Sequence, residues 1–375
     1  MATLLQKMNL LKGLLTGEMA YTRPFYVTVD PTRRCNLQCL GCRFHSPKIN
    51  IPSVGDKNIL DIPFDLFEAL CQELRTMDTE GLLFIGEGEP FLHPRMLDMI
   101  SMAKTMGLQV TVVTNGTLLD RDTIRSLLRL RLDRIQVSLW ASSPEGYAQN
   151  SPGTNPDTFE KVVSGLTLLS SLKAEQKSKR PYVILHHPLH RYNFQRIDGI
   201  VDLALNTGCD AISLSPFYSH RGRLNSYAMT PEDENNLFQS LTQMKKRLRT
   251  LPLNHTIDQT LLRYRIGEAV WEKLPCYIGW IDARVKVDGT VLPCNPCQRP
   301  MGNLKENSLH EIWNSSSYRY FRRQTWTREG LAALNQQCDC QYCCHLPANV
   351  RLHQCLRWLS PFTQQSKKGL SCSDR

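Results

Sequence analysis

The sequence predicts an α/β protein: a partial (β/α)6 TIM-like barrel built on a parallel sheet, followed by a smaller cysteine-rich C-terminal domain. Three observations predict it. Between residues 25 and about 230, apolar strand-like runs alternate with amphipathic helix-like segments, and strands spaced by helices pair in parallel because a parallel neighbour needs a crossover connection. The unusual polar motifs fall just after those runs, at the C-terminal strand ends where barrels gather their reactive groups. From about Pro275 the alternation stops and cysteines become frequent.

Element by element, the run LLQKMNLLKGLLTG sets leucines and a methionine at helical spacing. Lys7, Lys12 and Glu18 interrupt it and no small-residue cleavage site follows, so residues 1–22 read as an amphipathic helix packed on the main domain, not a signal peptide. FYVTV alternates as a first strand. Pro63 opens a helix to about Met77, LLFIG at 82–86 is a strand, a helix runs from Arg95 to Gly107, and LQVTVVTN is the next strand. Helix 119–131 precedes RIQVSLW, helix 157–172 precedes YVIL, and helix 195–207 precedes AISLS. Thr230 and Pro231, with Asp233 three residues after the threonine, start a further helix by the capping-box pattern. VKVDGTVLPC reads as a hairpin about an Asp-Gly turn. These readings place a barrel at 23–255, a cysteine-rich domain at 256–350 and a polar tail at 351–375.

Composition narrows the function. Hydrophobic residues at 41% and charged residues at 21% suit a soluble enzyme, and no run reaches the apolar length that a bilayer crossing needs. A net charge of +10 favours anionic ligands in a general way. The basic residues are scattered, and the densest run, KKRLR at 245–249, lies in a predicted helix and reads as a solvated face. No nucleic-acid partner is expected. Of the 14 cysteines, one group is Cys35, Cys39 and Cys42, and a second comprises Cys276, Cys294, Cys297, Cys338, Cys340, Cys343, Cys344 and Cys355. In a long chain without an export signal these read as metal thiolates in a reducing, cytoplasmic setting, not as a disulfide framework. Cys71 and Cys209 read as ordinary buried cysteines.

The first group, within PTRRCNLQCLGCRFH, leaves three thiols without a fourth. A structural zinc wants four closed positions; His45 is the one neighbour that could complete a zinc knuckle. A cubane held by three thiolates instead keeps one iron open for a bidentate ligand. Cys35-x3-Cys39-x2-Cys42 resembles the signature of the radical S-adenosylmethionine superfamily. GEGEPFLHP after the second strand, TNGTLL after the third and SLWASSPEGY after the fourth are similar to that family's successive strand-end motifs. The resemblance implies a 4Fe-4S cluster on Cys35, Cys39 and Cys42. S-adenosylmethionine would chelate its open iron and yield, on reduction, a 5'-deoxyadenosyl radical that takes a hydrogen atom from substrate. Gly88, Glu89, Pro90, Asn115 and Ser138 are its implied cofactor contacts, and Glu87 joins Glu89 as a ligand-site carboxylate between glycines. One departure stands out: the residue before the third cysteine is usually an aromatic packed on adenine. Here it is Gly41, so adenine is held by another group, Phe44 or a backbone contact.

The C-terminal spacing Cys276-x12-Gly-x4-Cys294, then Cys340-x2-Cys343, resembles the SPASM and shorter twitch extensions of the superfamily. It implies one auxiliary 4Fe-4S cluster on Cys276, Cys294, Cys340 and Cys343. The next two SPASM positions are Asn349 and His353. Cys297, Cys338, Cys344 and Cys355 remain as alternative ligands or a second, irregular site, and a zinc ribbon on the 294/297 and 340/343 pairs is the competing reading.

Substrate-facing candidates are His186, His187 and His190 after the fifth strand, and Tyr218, His220, Arg221 and Arg223 after the sixth. The expected activity is dehydrogenation or epimerisation of a carbohydrate- or aminocyclitol-like small molecule, with an external reductant of the flavodoxin or ferredoxin type. The alternative substrate is a ribosomally made peptide, against which the short segment ahead of the barrel leaves little room for a leader-binding domain. A zinc-stapled binding protein without catalysis is the alternative of another class.

Overall fold

A computed structural model describes residues 4–49, 54–219, 222–266, 271–334, 338, 340 and 343–356. Its strands are β1 (Tyr26–Val29), β2 (Gly81–Phe84), β3 (Gln109–Thr114), β4 (Arg134–Ser138), β5 (Tyr182–Leu189), β6 (Ala211–Pro216), β7 (Asn254–His255), β8 (Asp282–Val285), β9 (Thr290–Leu292) and β10 (Gly302–Asn303). They form one sheet in the order β10-β9-β8-β1-β2-β3-β4-β5-β6-β7. From β8 through β1 to β7 every neighbouring pair is parallel, while β9 pairs antiparallel with β8 and β10. The expected partial barrel is present, with β7 as a short seventh parallel strand.

Among the described residues nine helices precede β8: α1 (Leu4–Thr16), α2 (Phe64–Thr76), α3 (Met96–Thr105), α4 (Arg121–Arg129), α5 (Pro144–Asn150), α6 (Pro156–Glu175), α7 (Ile197–Asn206), α8 (Pro231–Leu248) and α9 (Ile257–Ile266). Their apolar faces explain the packing. Phe67, Leu70, Cys71 and Leu74 of α2 sit one turn apart and are all buried, as are Ile124, Leu127 and Leu128 of α4. Cys71 and Cys209 both lie in this core. The capping box at α8 forms as its sequence requires, Thr230 accepting from the Asp233 backbone and Asp233 from that of Thr230. Among these elements α5, β7 and α9 escaped the sequence reading. α5 is a single polar segment without a long apolar period, and β7 is too short to show one.

The cysteine-rich region is continuous with the barrel sheet. β8 lies beside β1 in parallel register, Tyr26 opposite Asp282 and Val29 opposite Val285. Arg284 of β8 donates Nε to Asp30 Oδ1 at 2.9 Å and a terminal nitrogen to Asp30 Oδ2 at 2.6 Å, with Asp30 fully buried. The Asp-Gly turn closes the β8–β9 hairpin with Gly289 at φ 85°, a conformation that favours glycine. Helices α10 (Leu309–Trp313), α11 (Ser316–Trp326), α12 (Arg328–Leu334) and α13 (Leu346–Leu356) follow.

Arg322 of α11 is buried and fixes the N-terminal segment onto this region. It donates to the carbonyls of Gly279 (2.7 Å), Trp313 (2.6 Å) and Glu18 (3.2 Å), and its guanidinium lies over the Trp313 ring. Gly13 and Leu14 of α1 are buried, whereas Leu4, Leu5, Met8 and Leu15 stay exposed. No helix among the described residues is long and apolar enough to cross a membrane.

Candidate active site

The loop after β1 carries Cys35, Cys39 and Cys42, and the loop after β2 packs directly on it. Glu89 donates its backbone N–H to the Arg34 carbonyl at 2.8 Å. Gly88 is glycine because a Cβ there would run into the carbonyls of Arg34 and Thr32. Glu89 is 2% exposed, and its carboxylate is used by the barrel: it accepts from Thr114 Oγ1 (2.6 Å) and the backbones of Asn115 (2.7 Å) and Phe91 (3.3 Å). Burial pushes it up to about 7. Its side chain braces the loop. Pro90 opens the single turn Pro90–Leu92 that ends this loop.

The Glu87 carboxylate, expected at a ligand site, is engaged by cations of the protein. It is buried between Arg33, whose Nε lies 2.7 Å from Oε2, and Lys286 of the β8–β9 hairpin. Desolvation lowers Lys286 to about 8. An ion pair of this kind ties the two cysteine-bearing regions together. His45 places Nε2 2.6 Å from the Glu87 carbonyl oxygen, which takes that nitrogen away from a zinc knuckle.

The three thiols influence one another electrostatically, and desolvation raises all three, Cys39 to about 12. Their compensation is dipolar. Phe44 and His45 donate backbone N–H groups to Cys42 Sγ at 3.4 Å each, Ser151 Oγ lies 3.3 Å from Cys39 Sγ, and the Asn115 side chain bonds Cys35. Half-buried thiols with hydrogen-bond donors around them fit a cationic iron cluster. Among the described residues no three His, Cys, Asp or Glu side chains converge as they do around a single ion; thiolates on cubane corners sit farther apart than that.

Asn115 is locked by Asn36 (2.9 Å) and by Thr117 N and Oγ1 (2.9 and 2.7 Å). Ser138 accepts from the Trp140 indole N–H at 3.2 Å, so its hydroxyl is partly engaged before any cofactor arrives. Sequence reasoning missed Trp140, Asn150 and Ser151. Asn150 and Ser151 end α5 and brace the thiol loop, Leu40 donating to the Asn150 carbonyl at 2.8 Å. Their signal was the polar run QNSPG just after the fourth strand-end motif.

Inside the barrel a cavity of about 520 Å³ runs from Phe44 to Cys344 and His345 of the C-terminal region, past Gln136, His186 and Arg263. His186 sits 3.3 Å from both Ser213 Oγ and Ser215 Oγ, and burial lowers it to about 4. His187 and His190 do not face this cavity. Strand alternation turns His187 to the opposite side, where both line a separate cavity of about 220 Å³ with Asn193 and Tyr227. Arg223 is exposed and Tyr218 half-buried; His220 and Arg221 lie outside the described residues.

In the C-terminal region Cys294 interacts electrostatically with Cys276 and Cys340, and Cys343 with Cys340 and Cys294. Cys344 stands in the same relation to Cys294 and Cys343, so the region gathers five thiols, the four expected ligands among them. Cys297 and Cys338 are paired with each other across an isolated antiparallel bridge. Cys344 lines the interior cavity and Cys355 is exposed on α13. Asn349 and His353, where further cysteines would stand, instead dock α13 on the residue after Cys276. Asn349 Oδ1 accepts from Tyr277 N at 2.6 Å and His353 Nδ1 lies 2.9 Å from the Tyr277 hydroxyl.

Comparison with known proteins agrees with this geometry. Residues 29–214 match the radical SAM superfamily, and residues 276–344 match SPASM, an iron-sulfur cluster-binding domain. The chain is 24% identical to a tungsten-containing aldehyde ferredoxin oxidoreductase cofactor-modifying protein of Pyrococcus furiosus, over 79% of this chain and 83% of the relative. It is also 24% identical to a PqqA peptide cyclase of Xanthomonas campestris, over 82% of this chain and 78% of the relative. In fold it is similar to Streptococcus suis SuiB bound to its precursor peptide SuiA, with TM-score 0.63 at 14% identity over 84% of this chain and 69% of that one. These domains bring 4Fe-4S clusters and S-adenosylmethionine binding with them. The chain belongs to the radical S-adenosylmethionine superfamily and carries its SPASM iron-sulfur extension.

Proposed function

We propose that this enzyme is a peptide maturase that abstracts hydrogen from a residue of a ribosomally made peptide. Cys35, Cys39 and Cys42 hold the S-adenosylmethionine-binding cluster in this reading, and Cys276, Cys294, Cys340 and Cys343 hold the auxiliary one. Gly88, Glu89, Pro90, Asn115 and Ser138 shape the cofactor's surroundings. When bound, the cofactor and its cluster supply hydrogen-atom abstraction, and the auxiliary cluster supplies an acceptor for the electron left behind.

The observation that carries the reading is the interior cavity, which reaches from the first thiol loop to the second thiol group and has the size of a ligand cleft. Gln136, Gln259, Ser213 and Ser215 line it; amides and hydroxyls of this kind pair with the N–H and C=O groups of a peptide. The peptide-cyclase relative supports a peptide substrate over the carbohydrate-like one expected from the sequence. The chain's own residues position the substrate and exclude water. His186, held neutral by burial, is the group placed to take a proton.

The test is anaerobic incubation of the cluster-loaded enzyme with S-adenosylmethionine, a flavodoxin-type reductant and short peptides encoded beside its gene. The expected result is 5'-deoxyadenosine formed in step with a peptide lighter by two hydrogens. Peptides of unchanged mass, together with turnover of a sugar or cofactor substrate, would overturn the proposal.

A further inference from the structure

Gly41 precedes the third thiol, at the position where a flat side chain is expected against adenine. The structure explains the glycine. A Cβ built there would lie 2.7 Å from the Phe217 ring and closer still to the Trp140 ring. The volume that a side chain at 41 would occupy is therefore already filled from two other strand ends. Trp140 leaves β4 and Phe217 leaves β6, and their rings meet edge to face with centroids 6.1 Å apart at 83°.

Trp140 is held from both sides of its residue. Its indole N–H donates to Ser138 Oγ at 3.2 Å, and its carbonyl accepts from Asn150 Nδ2 (3.3 Å) and Asn193 Nδ2 (3.2 Å). Phe217 is buried and backed by the rings of Tyr227 and His190, each with its centroid 5.9 Å away. Trp140 itself is half-buried and lies against the thiol loop at Gly41. A ring fixed in advance loses little freedom when a base stacks on it. Phe44, the other candidate, lines the interior cavity with the substrate-facing groups.

We propose that Trp140, backed by Phe217, is the adenine platform of this S-adenosylmethionine site, and that position 41 is glycine because the platform has moved from the thiol loop to the end of β4. Trp140 is a positioning residue for the adenosyl half of the cofactor and has no part in holding its methionine half. The inference does not depend on whether the substrate is a peptide.

The test is equilibrium binding to the cluster-loaded enzyme, with iron counted for each variant. Trp140→Ala is expected to weaken S-adenosylmethionine by roughly 10-fold or more, the usual worth of a base–aromatic stack, and 5'-deoxyadenosine similarly, with methionine affinity and iron content unchanged. Trp140→Phe keeps most of the affinity. Gly41→Phe weakens binding because its ring meets both Trp140 and Phe217. Unchanged affinity in Trp140→Ala, or a loss falling equally on methionine and 5'-deoxyadenosine, overturns the proposal.

Discussion

Arg284→Met tests how the C-terminal region is fastened to the barrel. Wild-type Arg284 makes two charge-assisted hydrogen bonds to Asp30 and a third, of 2.9 Å, to the Asn295 carbonyl. Methionine fills much of the arginine stem but leaves the Asp30 carboxylate buried without its bidentate partner. Removing one member of a buried pair costs about 3–5 kcal/mol. Here Lys286, which interacts with Asp30 at longer range, places the expected loss near the lower end, about 3 kcal/mol. The assay is anaerobic denaturant unfolding of cluster-loaded protein for wild type, Arg284→Met, Asp30→Asn and the double variant. The double variant is expected to lose less than the sum of the singles, by about 1–3 kcal/mol. Additive losses within about 0.5 kcal/mol would refute the idea that this pair joins β1 to β8.

Replacing Cys35, Cys39 and Cys42 together by alanine is expected to remove about four iron atoms per chain and all 5'-deoxyadenosine formation. Replacing Cys276 and Cys294 removes a similar amount of iron and spares cofactor cleavage; iron assay and product chromatography read both. Burial holds His187 neutral down to about 4, below its usual 6.5. The unfolded chain therefore takes up the proton first as pH falls, and stability declines from about pH 6.5 toward 4, by up to about 1.4 kcal/mol per pH unit for this residue. Urea midpoints measured between about pH 6.5 and 5 should show a shallower decline in His187→Gln; an unchanged slope would count against the assignment. Asn349→Leu orphans the Tyr277 N–H and should lower stability by about 1–3 kcal/mol, with proteolysis of α13 as a second readout.

Much of the candidate site was legible in the sequence because its chemistry is local. Cys35, Cys39 and Cys42 share one loop, so their spacing alone shows three thiols and a vacancy. GEGEP could be placed beside them because strand-end motifs of a parallel barrel share a rim. Glu87 misled because a carboxylate between glycines gives no sign of which cation lies opposite; Lys286 comes from nearly two hundred residues away in the chain. His187 misled because the reading did not carry the twofold strand alternation through HHPLH, which separates it from His186.

The sequence by itself determined the barrel, through the alternation of strand and helix periods, and the two thiol groups, through their spacing. Long-range proximity was decided only by the tertiary structure. Cys297 and Cys338 lie against each other although they stand 41 residues apart, and β8 joins the barrel sheet beside β1. Position 41 shows the difference most clearly. The sequence displays a glycine where an aromatic is expected, and only the fold shows that Trp140 and Phe217 already fill its space. Local spacing fixes which donors a loop presents, whereas steric exclusion depends on which side chains the closed sheet brings against it.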